Sequence, residues 1–149
     1  MDESLKREIL ELLDRHRVMS IATLRPDGWP QVTMVGYANV GLTSTSCAAA
    51  TARRRRTSRL TIASLAIGDD PPQVIDIAGL SMAAHTQVVT DPAEAESAMS
   101  LLLARYPEQT SWTGPAPKVD EVCMVRVTPV VISVLDCSKG FGHAELVVC

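Results

Sequence analysis

Arg25-Pro26-Asp27-Gly28-Trp29-Pro30-Gln31-Val32-Thr33-Met34-Val35-Gly36-Tyr37-Ala38-Asn39-Val40-Gly41-Leu42 is the stretch around which the chain is organised. It opens with a turn. Proline presets φ, aspartate bonds the nearby backbone and glycine accepts positive φ, so Pro26-Asp27-Gly28 carries reversal chemistry. A strand follows, with Val32, Met34 and Gly36 on one face and Gln31, Thr33, Val35 and Tyr37 on the other. Asn39-Val40-Gly41 offers a second turn. Upstream, Val18 to Leu24 is a matching strand. The two predict a β-hairpin, Ser20–Leu24 against Gln31–Val35.

The bulk numbers narrow the class. A chain of 149 residues reads as one domain, residues 1–149, with enough length to bury a core. Hydrophobic residues make up 46% and charged residues 21%, which is ordinary globular composition. A net charge of −3 gives no global case for nucleic acid as a partner. No apolar run approaches the roughly 20 residues of a membrane span. The acidic start Met1-Asp2-Glu3-Ser4 lacks a secretory apolar segment, so a cytoplasmic location is expected. Cys47, Cys123, Cys137 and Cys149 have no CxxC spacing and no nearby histidine pair. They read as free, reduced thiols, with a zinc site the weaker alternative, and no metal ligands are assigned.

Leu5, Ile9, Leu12 and Leu13 recur at helical spacing behind a cap at Asp2 or Ser4. They predict an amphipathic N-terminal helix that packs one side on the rest of the fold, with His16 at its dipole-favoured C-terminal end. Gln73–Leu80 reads as a strand that continues through Val89, with Gly79 as a bulge or bend. His85 on it reads as a half-exposed sheet residue rather than a ligand. Asp91 or Thr90 caps a helix with Pro92 in first position, ended by Tyr106-Pro107. Glu108–Lys118 is a loop containing Trp112. Glu121–Thr128 and Val130–Leu135 are strand-like, with Pro129 as a break or edge between them. Asp136–His143 is a glycine-rich loop without the spacing of a phosphate-binding fingerprint.

One segment does not fit. From Ser44 to Ala63 bulky apolar residues vanish until Leu60, where a strand partner for Gln31–Val35 is needed. Arg53–Arg56 can be a basic patch, or the alanine- and arginine-rich run can be a solvated helix. A third reading is a shifted reading frame. A parent Ile-Tyr-Phe-Leu-Arg-Ser-Arg-Asp-Ser-Gln-Lys-Ala-Pro-His-Leu-Pro-Ala-Asp-Asp-Arg, read one base late, yields all of Ser44–Ala63 with permissible codons.

In order along the chain, the motifs SIATLRPDGWPQVTMVGYAN, SLAIG, VIDIAGLSMAA, DPAEAE, VRVTPxVISVLD and VISVLDxSKGFGH resemble the pyridoxamine 5′-phosphate oxidase-like family of FMN-binding split β-barrels. The resemblance covers nearly the whole chain except Ser44–Ala63. The out-of-frame parent resembles the family there too, with a strand IYFL and a phosphate-binding turn SxxSQKA. This is why the frame reading leads.

The resemblance implies a mainly β fold, a split β-barrel with an N-terminal helix and one helix inserted after the long central strand. It implies a homodimer with FMN at the subunit interface and a small-molecule substrate. Val32, Thr33, Met34 and Val35 match the strand whose backbone meets the polar edge of the flavin ring. Gln73 looks like a flavin-contacting glutamine. Trp112 lies in a loop placed to cover the ring. Arg54 falls where the family has its phosphate-binding lysine, with Arg53 beside it, so FMN binding is expected to be weakened in the chain as written. The family's C-terminal Trp- and Arg-rich substrate region is absent, so pyridoxamine phosphate is not the expected substrate. No catalytic side chain is assigned. The lead expectation is an FMN-dependent oxidoreductase; the alternative is a non-catalytic cofactor-binding or sensing module on the same fold.

Overall fold

The computed structural model describes residues 2–49, 61–108 and 118–149. Helix α1 (Glu3–Arg15) starts where the Asp2 carboxylate accepts from the Ser4 and Leu5 amides. It leads into strands β1 (Val18–Leu24) and β2 (Pro30–Val40), paired antiparallel from Val18↔Gly36 to Leu24↔Pro30. The turn between them is closed by the Arg25 amide on the Trp29 carbonyl, with Gly28 at φ 86°. The expected hairpin is therefore present, and its second strand runs five residues past Val35. A tight turn follows with Gly41 at φ 58°.

Strands β3 (Thr43–Ala49), β4 (Thr61–Gly68), β5 (Ala78–Val88), β6 (Val122–Asp136) and β7 (Ala144–Val148) complete the sheet. Their order is β3-β2-β1-β4-β5-β6-β7, and β3 also pairs with β6. Six strands thus close a barrel, and β7 lies outside it against β6. Helix α2 (Pro92–Arg105) is inserted between β5 and β6, with the Asp91 carboxylate accepting from the Glu94 amide.

Alternation sorts the side chains. Met19, Ile21, Tyr37, Leu65, Ile67, Leu80, Met82, Val125, Val127, Ile132 and Val134 fill the barrel, and α1 adds Ile9, Leu12 and Leu13. Helix α2 lies over the outer faces of β2, β3 and β6. There Ala95, Ala98, Met99 and Leu102 pack against Ala38, Val89 and Met124. The outer faces of β1, β4 and β5 have no such cover among the described residues.

Four expectations need correction. Residues 43–49 do form a strand, but it pairs with Tyr37–Val40 and not with Gln31–Val35. Gln73–Ile77 is not strand: Val74–Asp76 is a 3₁₀ turn. Strand β4 ends at Gly68 and β6 at Asp136, so Gln73–Asp76 have no strand neighbour to pair with, and only the Ile77 carbonyl is met, by the Cys137 amide. Gly79 is not a bulge; a Cβ there would come 2.5 Å from the Ile67 carbonyl oxygen, so close backbone approach demands glycine. The irregularity lies at the Pro129 end, where Ala83 pairs Val131 and Ala84 pairs Pro129. Val130 is the extra residue, and β6 passes through the proline as one 15-residue strand.

Candidate functional site

The split in the barrel is the first feature of the site. Strand β3 reaches only Tyr37–Val40 of β2, which leaves Pro30–Gly36 paired on the β1 side alone among the described residues. The hydrogen-bond phase follows from two contacts. The Tyr37 amide donates to the Arg17 carbonyl and the Arg25 amide to the Trp29 carbonyl. In an antiparallel ladder such pairs alternate, so Gln31, Thr33 and Val35 bond to β1 while Val32 and Met34 turn their N–H and C=O groups to the open edge. Ser46 Oγ donates to the Gly36 carbonyl at 2.8 Å and closes the split at that end.

Val32 and Met34 also expose their side chains, at 65% and 73%. Thr33 is exposed and Val35 is half-buried against the barrel core. The four residues expected to meet a ring edge therefore form a strand in which Val32 and Met34 turn donors and acceptors to a side without a strand partner among the described residues. That alternating set fits the polar edge of a flavin ring, which itself alternates donors and acceptors.

The second feature is the uncovered wall. Ser20 and Ala22 of β1, Ser64 and Ala66 of β4, and Ser81 and Ala83 of β5 face outward in register. They make a low floor. Larger apolar side chains rise on either side, with Leu24, Val32 and Met34 at one flank and Leu146 and Val148 of β7 at the other. A groove of about 480 Å³ lies at one end of this floor, where Leu24, Pro30, Ile62, His85 and Val130 line it beside Ala22, Ser64 and Ala83.

Gln73 is exposed at the opposite end of the wall from the groove. Gly68 lies five steps along β4 from Ala63, roughly 17 Å of strand, so one chain does not bring Gln73 to the groove. Arg53, Arg54 and Trp112 lie outside the described residues. Among the described residues no group of three His, Cys, Asp or Glu side chains is placed to hold a metal. None of the described helices is long and apolar enough to cross a membrane. All four cysteines are unpaired, Cys123 and Cys137 buried, Cys47 and Cys149 exposed.

The motif reading passed over the small-residue floor. Its signal is present: Ser-Ile-Ala, Ser-Leu-Ala and Ser-Met-Ala recur at Ser20, Ser64 and Ser81, small residues at every second position of three adjacent strands.

This barrel matches a known family. Residues 5–134 fit the model of the pyridoxamine 5′-phosphate oxidase family, and the chain belongs to it. No curated protein matches it closely. Among solved structures it is similar to a Clostridium acetobutylicum protein related to general stress protein 26, of the pyridoxinephosphate oxidase family. That match has 15% identity and a TM-score of 0.69, covering 99% of this chain and 96% of that one. It is also similar to a heme binding protein from Mycobacterium smegmatis, with 16% identity and a TM-score of 0.75 over 99% of this chain and 59% of that one. A FAD-binding protein from Mesorhizobium loti aligns at 14% identity and a TM-score of 0.64 over 86% of this chain and 91% of that one. At these identities the likeness is one of fold.

Proposed function

We propose that this chain is an FMN-binding flavoprotein that works as a cytoplasmic homodimer and exchanges hydride or electrons with a small substrate. The observation that carries the reading is the open edge of β2. Among the described residues, Val32 and Met34 present backbone donors and acceptors with no strand partner, beside a bare, largely apolar wall, in a chain of this family. The bare wall supports the homodimer, because a second copy is the occupant a flat, flanked sheet face most readily fits. When bound, the flavin supplies the redox chemistry; the chain orients the ring and excludes water from it. The unpaired thiols agree with a reducing compartment.

The backbone role makes a sharp test. Proline at Met34 removes one open-edge N–H and leaves the β1 ladder intact, since that amide faces away from β1. Met34→Pro is expected to weaken FMN binding at least roughly tenfold, as loss of a hydrogen bond into a ring edge does. Met34→Ala is expected to bind nearly as the parent does. Equal FMN affinity for the proline variant and the parent, by fluorescence-quenching titration, overturns the placement.

A cofactor carrier without turnover is the second reading. It is favoured by the fold-level likeness to a protein described as heme-binding. Bleaching of bound FMN by reduced nicotinamide under anaerobic conditions supports the oxidoreductase; a yellow protein inert to reductants supports the carrier.

A further inference from the structure

The bare wall ends in two neighbouring turns. Strands β4, β5, β6 and β7 reach that end at Gly68, Ala78, Asp136 and Ala144. Beyond it lie the Val74–Asp76 turn and Gly140-Phe141-Gly142, linked where the Cys137 amide donates to the Ile77 carbonyl at 3.0 Å. Phe141 is 94% exposed, the most exposed large apolar side chain among the described residues, and Val74 and Ile75 are 60% and 57% exposed. The phenylalanine stands on a braced mount. Gly140 and Gly142 take φ of 140° and 69°, conformations that favour glycine, and the His143 amide donates back to the Gly140 carbonyl. Just before them, Lys139 reaches Glu8 of α1 at 3.0 Å and Glu145 of β7 at 3.4 Å. An aromatic side chain on so fixed a turn is a preformed anchor, cheap to order on contact.

The groove lies at the other end of the same wall. From Ala78 to His85 is seven steps of β5, roughly 23 Å of strand. We propose that the two ends meet across the homodimer: Phe141, with Val74 and Ile75, of each copy seats against Leu24, Pro30, Ile62 and Val130 in the groove of the other. The inference rests on the homodimer reading and names the surfaces that meet in it. Three observations choose a second copy in this orientation. Tip and groove are opposite ends of one wall, so the contact is continuous with the subunit contact that the wall supports. Their shapes are complementary, an apolar projection and an apolar recess whose volume of about 480 Å³ admits an aromatic ring with an aliphatic side chain beside it. Charge sets the direction. Asp69, Asp70 and Asp76 are exposed around the tip. A two-fold axis along the strands brings the two tips together and crowds these carboxylates. An axis across the strands lays each tip over the partner's groove and keeps them apart.

Crosslinking of single-cysteine chains reads the orientation. The full chain with Cys47→Ser and Cys149→Ser, which removes the two exposed thiols, is the background. Phe141→Cys and Leu24→Cys are made in it separately. A short bismaleimide is added to each alone and to their mixture after subunit exchange. The mixture is expected to yield a crosslinked dimer, and each variant alone little. Glu11→Cys, on the exposed side of α1, mixed with Phe141→Cys controls for collision. Sedimentation equilibrium gives the second readout. Phe141→Asp is expected to weaken the dimer at least roughly thirtyfold with the circular dichroism unchanged, because the side chain is exposed in the single chain. Phe141→Leu is expected to keep most of the affinity.

Crosslinking of Phe141→Cys to itself, or a mixture that crosslinks no better than the Glu11→Cys control, overturns the inference. A Phe141→Asp dimer as tight as the parent overturns it too. A parent that is monomeric removes the homodimer reading and this inference together. A dimer that crosslinks with matched ends leaves the homodimer reading standing and overturns this inference alone.

Discussion

At the residue scale, three side chains tie the two ends of α1 and α2 to the barrel. Tyr106 donates through its hydroxyl to the Arg17 carbonyl and accepts from the Tyr37 amide. A Cβ on Gly36 would sit 2.8 Å from that hydroxyl. Gly36→Ala is therefore expected to destabilise by about 1–3 kcal/mol, with most of the cost absent in a Tyr106→Ala background, by thermal melts of the double-mutant cycle. Arg105 closes the C-terminus of α1 by donating to the Leu13, Asp14 and His16 carbonyls. Arg105→Met leaves those acceptors unmet and is expected to cost on the order of 2–3 kcal/mol by denaturant titration.

Tyr37 is fully buried and donates to the Leu13 carbonyl at 2.8 Å. Burial outweighs the nearby Arg105 charge and pushes its hydroxyl up from 10.0 to about 12. The folded chain then holds this proton where the unfolded chain releases it, so this contribution is whole below pH 10 and falls as pH rises toward 12. Tyr37→Phe is expected to flatten that alkaline slope. The caps at Asp2 and Asp91 were legible because capping is local. Gly36 was not, because the side chain that requires it stands seventy residues on.

At the element scale, hydrophobic period carried most of the fold. Leu5, Ile9, Leu12 and Leu13 marked α1, and Pro92 with Asp91 marked the start of α2, as observed. Strand β3 could not be seen that way. Ser44 and Ser46 face into the barrel opposite Val127 and Val125, buried to 3% and 6% exposure. Their strand character is imposed by β2 and β6 on either side rather than by their own propensity. The out-of-frame parent would put isoleucine and phenylalanine at these two buried positions. Ser44→Val is accordingly expected to raise the melting temperature by a few degrees, worth about 1 kcal/mol of added burial. A fall shows that the wall has closed around the serine. Resequencing the gene is expected to show compensating one-base changes near Thr43 and Ser64; an intact frame across both points removes the out-of-frame account. Gln73 misled for the converse reason: a strand-like string with no neighbour to pair remains a turn.

At the scale of the whole molecule, the two outer walls of the barrel differ. Helix α2 covers one, and the other is a small-residue floor between apolar flanks. The family and the split barrel were legible from ordered motifs. The bare wall and its groove were not, since they arise only when three strands align their small residues. A charge at the centre of that wall opposes subunit contact. Ala66→Arg is expected to convert a dimer to a folded monomer by sedimentation, with the circular dichroism unchanged.

The central claim is a dimer that holds FMN through the open edge of β2. Native mass spectrometry of the purified chain saturated with FMN tests it most directly, with the denatured subunit mass taken from the same sample. A dimer carrying two FMN is the expected result. A chain that retains no FMN, at a subunit mass matching the 149 residues as written, contradicts it.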